Sequence, residues 1–325
     1  MPELAESPRR LGNSDLFVSP IAMGCWPIAG VTSVDVNDAD SADTLRAAFD
    51  SGIDFFDTAF CYGYEGESER LIGATLGPVR DRIVIATKGG LHWQEKRQVR
   101  DASPARLRAE CEESLRRLGT DRVDLLYLHA PDPRVPLAES AGELRRLRDE
   151  GKTCAVGVSN LDVTQLEEFV AECPIAAFQP PFNMLQRDIE DDRLPWCVER
   201  NVAVVIYWPL MKGLLAGHLA RDHVFDPKDG RPKYPIFQGE DWERNQDFVD
   251  RLRLIATRLG KSVPQIVLNW TIQQPGITVA LAGAKRDYQI RDNAGGMGWR
   301  LSEVDLGEID QAIAARGPTA ARPPI

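Results

Sequence analysis

Four residues of the chain have the types and spacing to place a proton on an oxygen atom: Asp57, Tyr62, Lys88 and His129. Asp57 ends the apolar run at Phe55-Phe56, Lys88 ends IVIATK, His129 ends DLLYLH, and Tyr62 follows Asp57 by five residues. Singly, such an Asp is an ordinary turn former, such a Lys a surface group, and a lone His a hydrogen-bonded structural residue. Together they suit carbonyl reduction, in which hydride reaches carbon and a proton must reach oxygen. A phenol of ordinary pKa about 10 is a weak acid at neutral pH, and an adjacent ammonium stabilises its phenolate and lowers that value. Lys88 would supply the ammonium, Asp57 would keep the lysine charged and oriented, and His129 would donate to the carbonyl oxygen.

For these residues to meet, strands must bring them to one place. Apolar runs bounded by turn residues lie at Ile21–Trp26, Ile53–Ala59, Ile83–Lys88, Val123–His129, Ala155–Asn160, Ala176–Asn183, Val202–Leu210 and Ile277–Gly283. Between them lie segments of helical spacing. Ser103-Pro104 reads as an N-cap with proline at the first helical position, ahead of a helix stopped by Gly119; SADTLRAAFDSG stops at Gly52 and ESAGELRRLRDEG at Gly151. Eight apolar strands alternating with helices imply a parallel sheet covered on both faces, and eight units favour a closed (β/α)8 TIM barrel over an open sheet. RRLGNSDLFVSP reads as a β-hairpin before the first barrel strand, and an extra helix is expected at the C-terminus. The expectation is one α/β domain over residues 1–325, with its site at the carboxyl ends of the strands. Residues 217–247 carry Pro227, Pro232 and Pro235 without a sustained period, and are expected to be an irregular loop over the barrel mouth.

Composition limits the alternatives. The 39 Lys and Arg against 49 Asp and Glu give a net charge of −10, which disfavours a general nucleic-acid or membrane-surface partner. Cys25, Cys61, Cys111, Cys154, Cys173 and Cys197 form no CxxC pair, as expected of reduced thiols in a cytoplasmic protein. MPELAESPRR has no apolar signal-like core, and no membrane-spanning run is seen. His92, His129, His218 and His223 form no HxxxH pair, so no metal is expected. Whether the chain is a monomer or a homo-oligomer is not readable.

FDTAFCYGYEGESERLIGATL resembles the DTA-x-x-YG-x-G-x-SE-x-x-(L/I)-G motif of the aldo-keto reductases, IVIATKGG their lysine strand and DLLYLHAPD their histidine strand, within a resemblance running from about Leu11 to Gly317. The resemblance implies an NADPH-dependent oxidoreductase with Tyr62 as general acid supported by Lys88, Asp57 and His129, acting on a small-molecule aldehyde or ketone.

The sequence lacks a G-x-G-x-x-G after a strand, so a dinucleotide must be held by the later strand-end loops. Ser159, Asn160 and Gln179 end the fifth and sixth strands and could hold a nicotinamide carboxamide, with Tyr207 stacked on the ring. Gly24 and Asp57 are also expected to bind the cofactor. PLMKGLLAG resembles the family's PL-x-x-G-L-L-x-G loop along the pyrophosphate, which nominates Pro209, Leu210, Lys212 and Gly213. Trp208, also assigned to the cofactor, departs from the small residue common there in the family. GAKRDYQIRDN is similar to the family segment that grips the adenosine phosphate, which carries over Gly283, Lys285, Gln289 and Asn293. Arg286 is argued from its charge, and the basic run at a helix start reads as a 2′-phosphate site, so NADPH is expected with NADH weaker. Trp26 and Trp93 are expected to shape the substrate pocket with Tyr62 and His129. Two further readings are a regulatory NADPH-binding subunit with little turnover and a barrel lyase using Lys88 as a Schiff base.

Overall fold

Strands too apolar for a solvent face must be covered on both sides, and the chain does this by closing them into a ring. The computed structural model describes residues 8–31 and 33–319. β1 (Arg9–Arg10) and β2 (Phe17–Val18) form the expected antiparallel hairpin. The ring begins with β3 (Ile21–Gly24), β4 (Phe55–Asp57) and β5 (Val84–Gly89). A second antiparallel pair, β6 (Leu91–Gln94) and β7 (Arg97–Arg100), interrupts it. It resumes with β8 (Val123–Leu128), β9 (Thr153–Ser159), β10 (Ala177–Gln179), β11 (Ala203–Ile206) and β12 (Ile277–Gly283). Neighbours pair in parallel, and β12 pairs with β3, so the (β/α)8 barrel is closed.

The strands have two cores because successive side chains point to opposite faces. Ala22, Phe55, Ala86, Leu125, Tyr127, Ala177, Val205 and Val279 fill the barrel interior. Ile21, Met23, Phe56, Ile85, Leu126, Val156 and Phe178 belong to the larger core shared with the helices. Leu11 and Val18 of the opening hairpin join the interior cluster and plug it from the amino ends of the strands. At its turn Gly12 has φ +55°, and a Cβ there would lie 2.4 Å from the Ala176 carbonyl oxygen.

The covering helices are α1 (Asp38–Asp50), α2 (Glu67–Leu76), α3 (Pro104–Leu118), α4 (Leu137–Asp149), α5 (Val163–Glu172) and α6 (Arg193–Glu199). They continue with α7 (Gly239–Leu259), α8 (Val263–Gln273), α9 (Asp287–Ala294) and α10 (Glu303–Arg316). α3 begins at Pro104 and ends at a left-handed Gly119, as the sequence signals, although Ser103 makes no side-chain cap. α10 is the expected extra helix, joined to α7 by Arg316 to Asp241 at 2.7 Å and Arg258 to Asp305 at 2.9 Å.

Two expectations are corrected. Several strands are shorter than their apolar runs: the segment at Val202–Leu210 yields only Ala203–Ile206, beyond which Tyr207 and Trp208 turn into loop. Residues 217–247 are not irregular throughout, since α7 starts at Gly239. Its buried Trp242, Asn245, Val249, Leu252 and Ala256 keep helical spacing, which the interleaved charges and the preceding prolines obscure in the sequence. No described helix is long and apolar enough to cross a membrane.

Candidate active site

Barrel closure sets Asp57 beside Gly24 and Ala86, and Lys88 beside Tyr127, in register at the carboxyl ends of the strands. His129 follows β8 directly, and Tyr62 enters from the loop after β4, turned by a bond from its N–H to the Ala59 carbonyl. The four residues nominated from the sequence therefore meet. The Lys88 ammonium, 1% exposed, donates to Asp57 Oδ1 at 2.5 Å, the Thr58 carbonyl at 2.7 Å and the Tyr62 hydroxyl at 3.4 Å. Using this amine to form a Schiff base would strand a buried carboxylate.

Burial raises the Asp57 carboxyl above its usual range, with Lys88 and Gln179 pulling the other way. Burial, then the Asp57 charge, hold the Tyr62 phenol well above 10. The expected lowering by Lys88 is not met, first because burial disfavours the phenolate and then because the Asp57 charge, to which the ammonium sits closer, opposes it. Tyr62 is a protonated phenol with a hydrogen to give. His129 is held well below 6.5 by burial and by Lys88, so its imidazole is neutral at physiological pH.

Aromatic rings surround this group. Trp26 meets Tyr62 edge-on at 5.0 Å between ring centres, and Tyr64 meets Trp93 at the same separation. Trp93, on the β6–β7 pair, donates its indole N–H to the Cys61 carbonyl at 2.8 Å. Trp26 thus packs on Tyr62 itself, and Trp93 on its neighbours Cys61 and Tyr64.

The residues nominated for the cofactor divide into two sets. Gln179 Nε2 donates to Asp57 Oδ2 at 2.8 Å, the Ser159 hydroxyl to the Gln179 carbonyl at 2.7 Å, and Asn160 Nδ2 to Ser159 Oγ at 3.0 Å. Asn160 Nδ2 also reaches the His129 carbonyl at 2.9 Å, and the Tyr207 hydroxyl donates to Asn160 Oδ1 at 2.8 Å. A continuous hydrogen-bond chain therefore runs from Tyr207 to Tyr62. Beyond it, Trp208, Met211 and Lys212 have left-handed backbone, as does Asn160, and Gly213 continues the run at φ +89°. Non-glycine residues adopt this conformation at a cost of about 1–3 kcal/mol each, and it gathers where a chain is shaped around a ligand. The Lys212 ammonium lies 4.0 Å from the Trp208 ring centre and 4.4 Å from that of Tyr234, so the segment before α7 folds over this side of the mouth. Leu210 packs instead against the helix-side core.

The second set is at the end of β12. Lys285 Nζ donates to the Val34 carbonyl at 3.1 Å and Arg286 to the Asp35 carbonyl at 2.7 Å, while Gln289 Oε1 accepts from the Lys285 N–H at 2.8 Å. Asn293 Nδ2 reaches the Gly283 carbonyl at 3.5 Å. Gly283 was expected to admit a phosphate closely, but its missing side chain first admits Pro27, whose Cγ would lie 2.9 Å from a Cβ there. Gly24 meets only ordinary contacts.

Sequence reasoning missed Thr58, Cys61, Tyr64, Tyr127, Tyr234 and the 34–35 segment. Thr58 and Cys61 lie inside the Asp57–Tyr62 motif, which was the available signal; the 34–35 segment and Tyr234 come from distant loops and left none. Polar strand ends, the strained cradle at 208–213 and the paired cations at 285–286 together fit a nicotinamide dinucleotide.

The sequence pattern of the Aldo/keto reductase family matches residues 20–314. Aldo-keto reductase YhdN of Bacillus subtilis (strain 168) is 35% identical over 306 residues, covering 93% of this chain and 92% of that protein. The NADH-specific methylglyoxal reductase of Escherichia coli (strain K12) is 31% identical over 311 residues, covering 91% and 94%. Among solved structures, the glycerol dehydrogenase AKR11B4 from Gluconobacter oxydans superposes with a TM-score of 0.90 at 36% identity, covering 98% of each chain.

Proposed function

Because this chain belongs to the aldo/keto reductase family, we propose that it reduces an aldehyde or ketone to the alcohol with NADPH, and that Asp57, Tyr62, Lys88 and His129 handle the oxygen end of the reaction. The observation carrying this reading is the buried Lys88 ammonium, which joins Asp57 at 2.5 Å to the hydroxyl of a protonated Tyr62 at 3.4 Å. NADPH, when bound, would supply the hydride for the carbonyl carbon. Ser159, Asn160, Gln179 and Tyr207 would hold its ring end, Trp208, Pro209, Leu210, Lys212 and Gly213 its middle, and Gly24, Gly283, Lys285, Arg286, Gln289 and Asn293 its adenosine end.

The protein's own part is to make the oxygen ready for a proton. Neutral His129 donates an N–H to the carbonyl oxygen and polarises it. The Tyr62 hydroxyl accepts from Lys88 and gives its proton to the oxygen as negative charge gathers there. The Lys88 ammonium then stabilises the phenolate left behind, and Asp57 keeps that ammonium fixed. A phenol held above 10 favours reduction at neutral pH, because the acid form is the populated one. Trp26, Trp93 and Tyr64 line the approach, and the relatives named for methylglyoxal and glycerol point to small, oxygen-rich carbonyl compounds. Lys285 and Arg286 favour NADPH, whereas the NADH-specific relative leaves the alternative dinucleotide open to the same test.

The test is NADPH and NADH oxidation over a panel of carbonyl compounds, with the Tyr62→Phe variant beside the wild type. Turnover should fall by about 10²- to 10⁴-fold in Tyr62→Phe, the range for losing a general acid, with cofactor binding kept. A variant that turned over its best substrate at the wild-type rate would overturn the assignment of Tyr62.

A further inference from the structure

A neutral imidazole carries a single N–H, and the neighbour of one ring nitrogen decides which nitrogen bears it. In His129 the only such neighbour among the described residues is a thiol: Cys61 Sγ lies 3.7 Å from Nδ1, and Nε2 has no hydrogen-bond partner. Cys61 is 1% exposed, and burial pushes its thiol up to about 12, so it keeps its hydrogen at working pH. The thiol is a weak donor through its S–H and a weak acceptor through its sulfur, while an unprotonated imidazole nitrogen is a good acceptor. The favoured sense is therefore S–H to Nδ1. The thiol is also fixed in place, because the Cys61 carbonyl accepts the Trp93 indole N–H and the next residue is tied back to Ala59.

We propose that Cys61 is a positioning residue of this site, whose thiol donates to His129 Nδ1 and so keeps the imidazole proton on Nε2, the nitrogen that faces the substrate oxygen in the reaction. The proposal rests on the role given to His129 above. Without the thiol, the proton could move to Nδ1, and the nitrogen left to meet the carbonyl would be a lone pair that repels it.

The test is nitrogen NMR of isotopically labelled histidine in the wild type, Cys61→Ala and Cys61→Ser, with the His129 signals identified by their loss in His129→Ala. Nε2 should be pyrrole-like and Nδ1 pyridine-like in the wild type. In Cys61→Ala the two should move toward a mixture, with kcat down by about 3- to 10-fold, as for a neutral hydrogen bond of ordinary net strength, and KM unchanged. Cys61→Ser, which restores a donor, should recover both the spectrum and kcat to within about twofold. A wild-type proton on Nδ1, or a Cys61→Ala spectrum identical to the wild type, would overturn the proposal. Normal turnover in His129→Ala would instead remove the role of His129, and the spectra would still decide what the thiol does.

Discussion

Consider neutralising Lys88 and Asp57 separately and then together. The two charges are 2.5 Å apart at about 1% exposure, and the carboxylate's second oxygen is occupied by Gln179. Lys88→Met strands the carboxylate with one neutral donor, and Asp57→Asn leaves the ammonium with neutral acceptors alone: the Thr58 carbonyl, the Tyr62 hydroxyl and the Asn amide oxygen. Removing one member of a buried pair costs about 3–5 kcal/mol, much of it the desolvation of the partner left behind. Against a typical total stability of about 5–15 kcal/mol, each single variant should be folded but clearly weakened. The double variant has no stranded charge and should recover most of that loss, so a cycle from urea unfolding should give a coupling of several kcal/mol. Its turnover should not recover, because Tyr62 still lacks the ammonium that stabilises its phenolate. The assays are urea midpoints with constant slope, beside NADPH oxidation on the best substrate. Single variants as stable as the wild type would refute the sealed pair, and a catalytically restored double variant would refute the role given to Lys88.

The remaining predictions concern pH, cofactor choice and the barrel plug. Since burial and Asp57 raise the Tyr62 pKa, the proton-donating form persists as pH rises, so reduction should hold through neutral and mildly alkaline pH while alcohol oxidation, which needs the phenolate, climbs over that range. His129 is shifted downward, so kcat/KM profiles should show no acid limb centred near the ordinary histidine value of about 6.5; a limb there would contradict its neutral state. Lys285→Ala with Arg286→Ala should weaken NADPH by roughly 10²- to 10⁴-fold, from two charge-assisted bonds of about 1.5–3 kcal/mol each, and NADH by only a few-fold in fluorescence titrations. Equal losses for the two cofactors would show that the pair serves the 34–35 segment rather than a phosphate. Gly12→Ala should destabilise by about 2–3 kcal/mol, since the left-handed backbone and the nearby Ala176 carbonyl both oppose a side chain, and an unchanged urea midpoint would count against the tight plug.

The barrel and the meeting of Asp57, Tyr62, Lys88 and His129 were legible because each depends on a local signal: an apolar run ending in a polar residue, repeated at the pitch of strand and helix. What escaped depends on contacts between distant segments. The direction of the Tyr62 shift could not be read from having a lysine nearby, because it turns first on how deeply the folded chain buries the phenol and then on the Asp57 charge. Gly283 looked like a phosphate turn, yet its immediate neighbour is Pro27, over two hundred residues earlier. α7 was hidden because polar Asn245 and Gln246 share its buried face, which blurs the apolar period.

The hydrogen-bond chain from Tyr207 through Asn160, Ser159 and Gln179 to Asp57 has an evolutionary side. A substitution inside it would disturb the groups proposed to handle the proton. Lys285 and Arg286 stand outside it, bonded to the backbone at Val34 and Asp35. On the proposed reading, variation at these two cations can thus be tried without disturbing that chain. If these two half-buried cations set the cofactor preference proposed above, one nicotinamide pool could be exchanged for the other by drift at them, while the reacting end stays under separate selection.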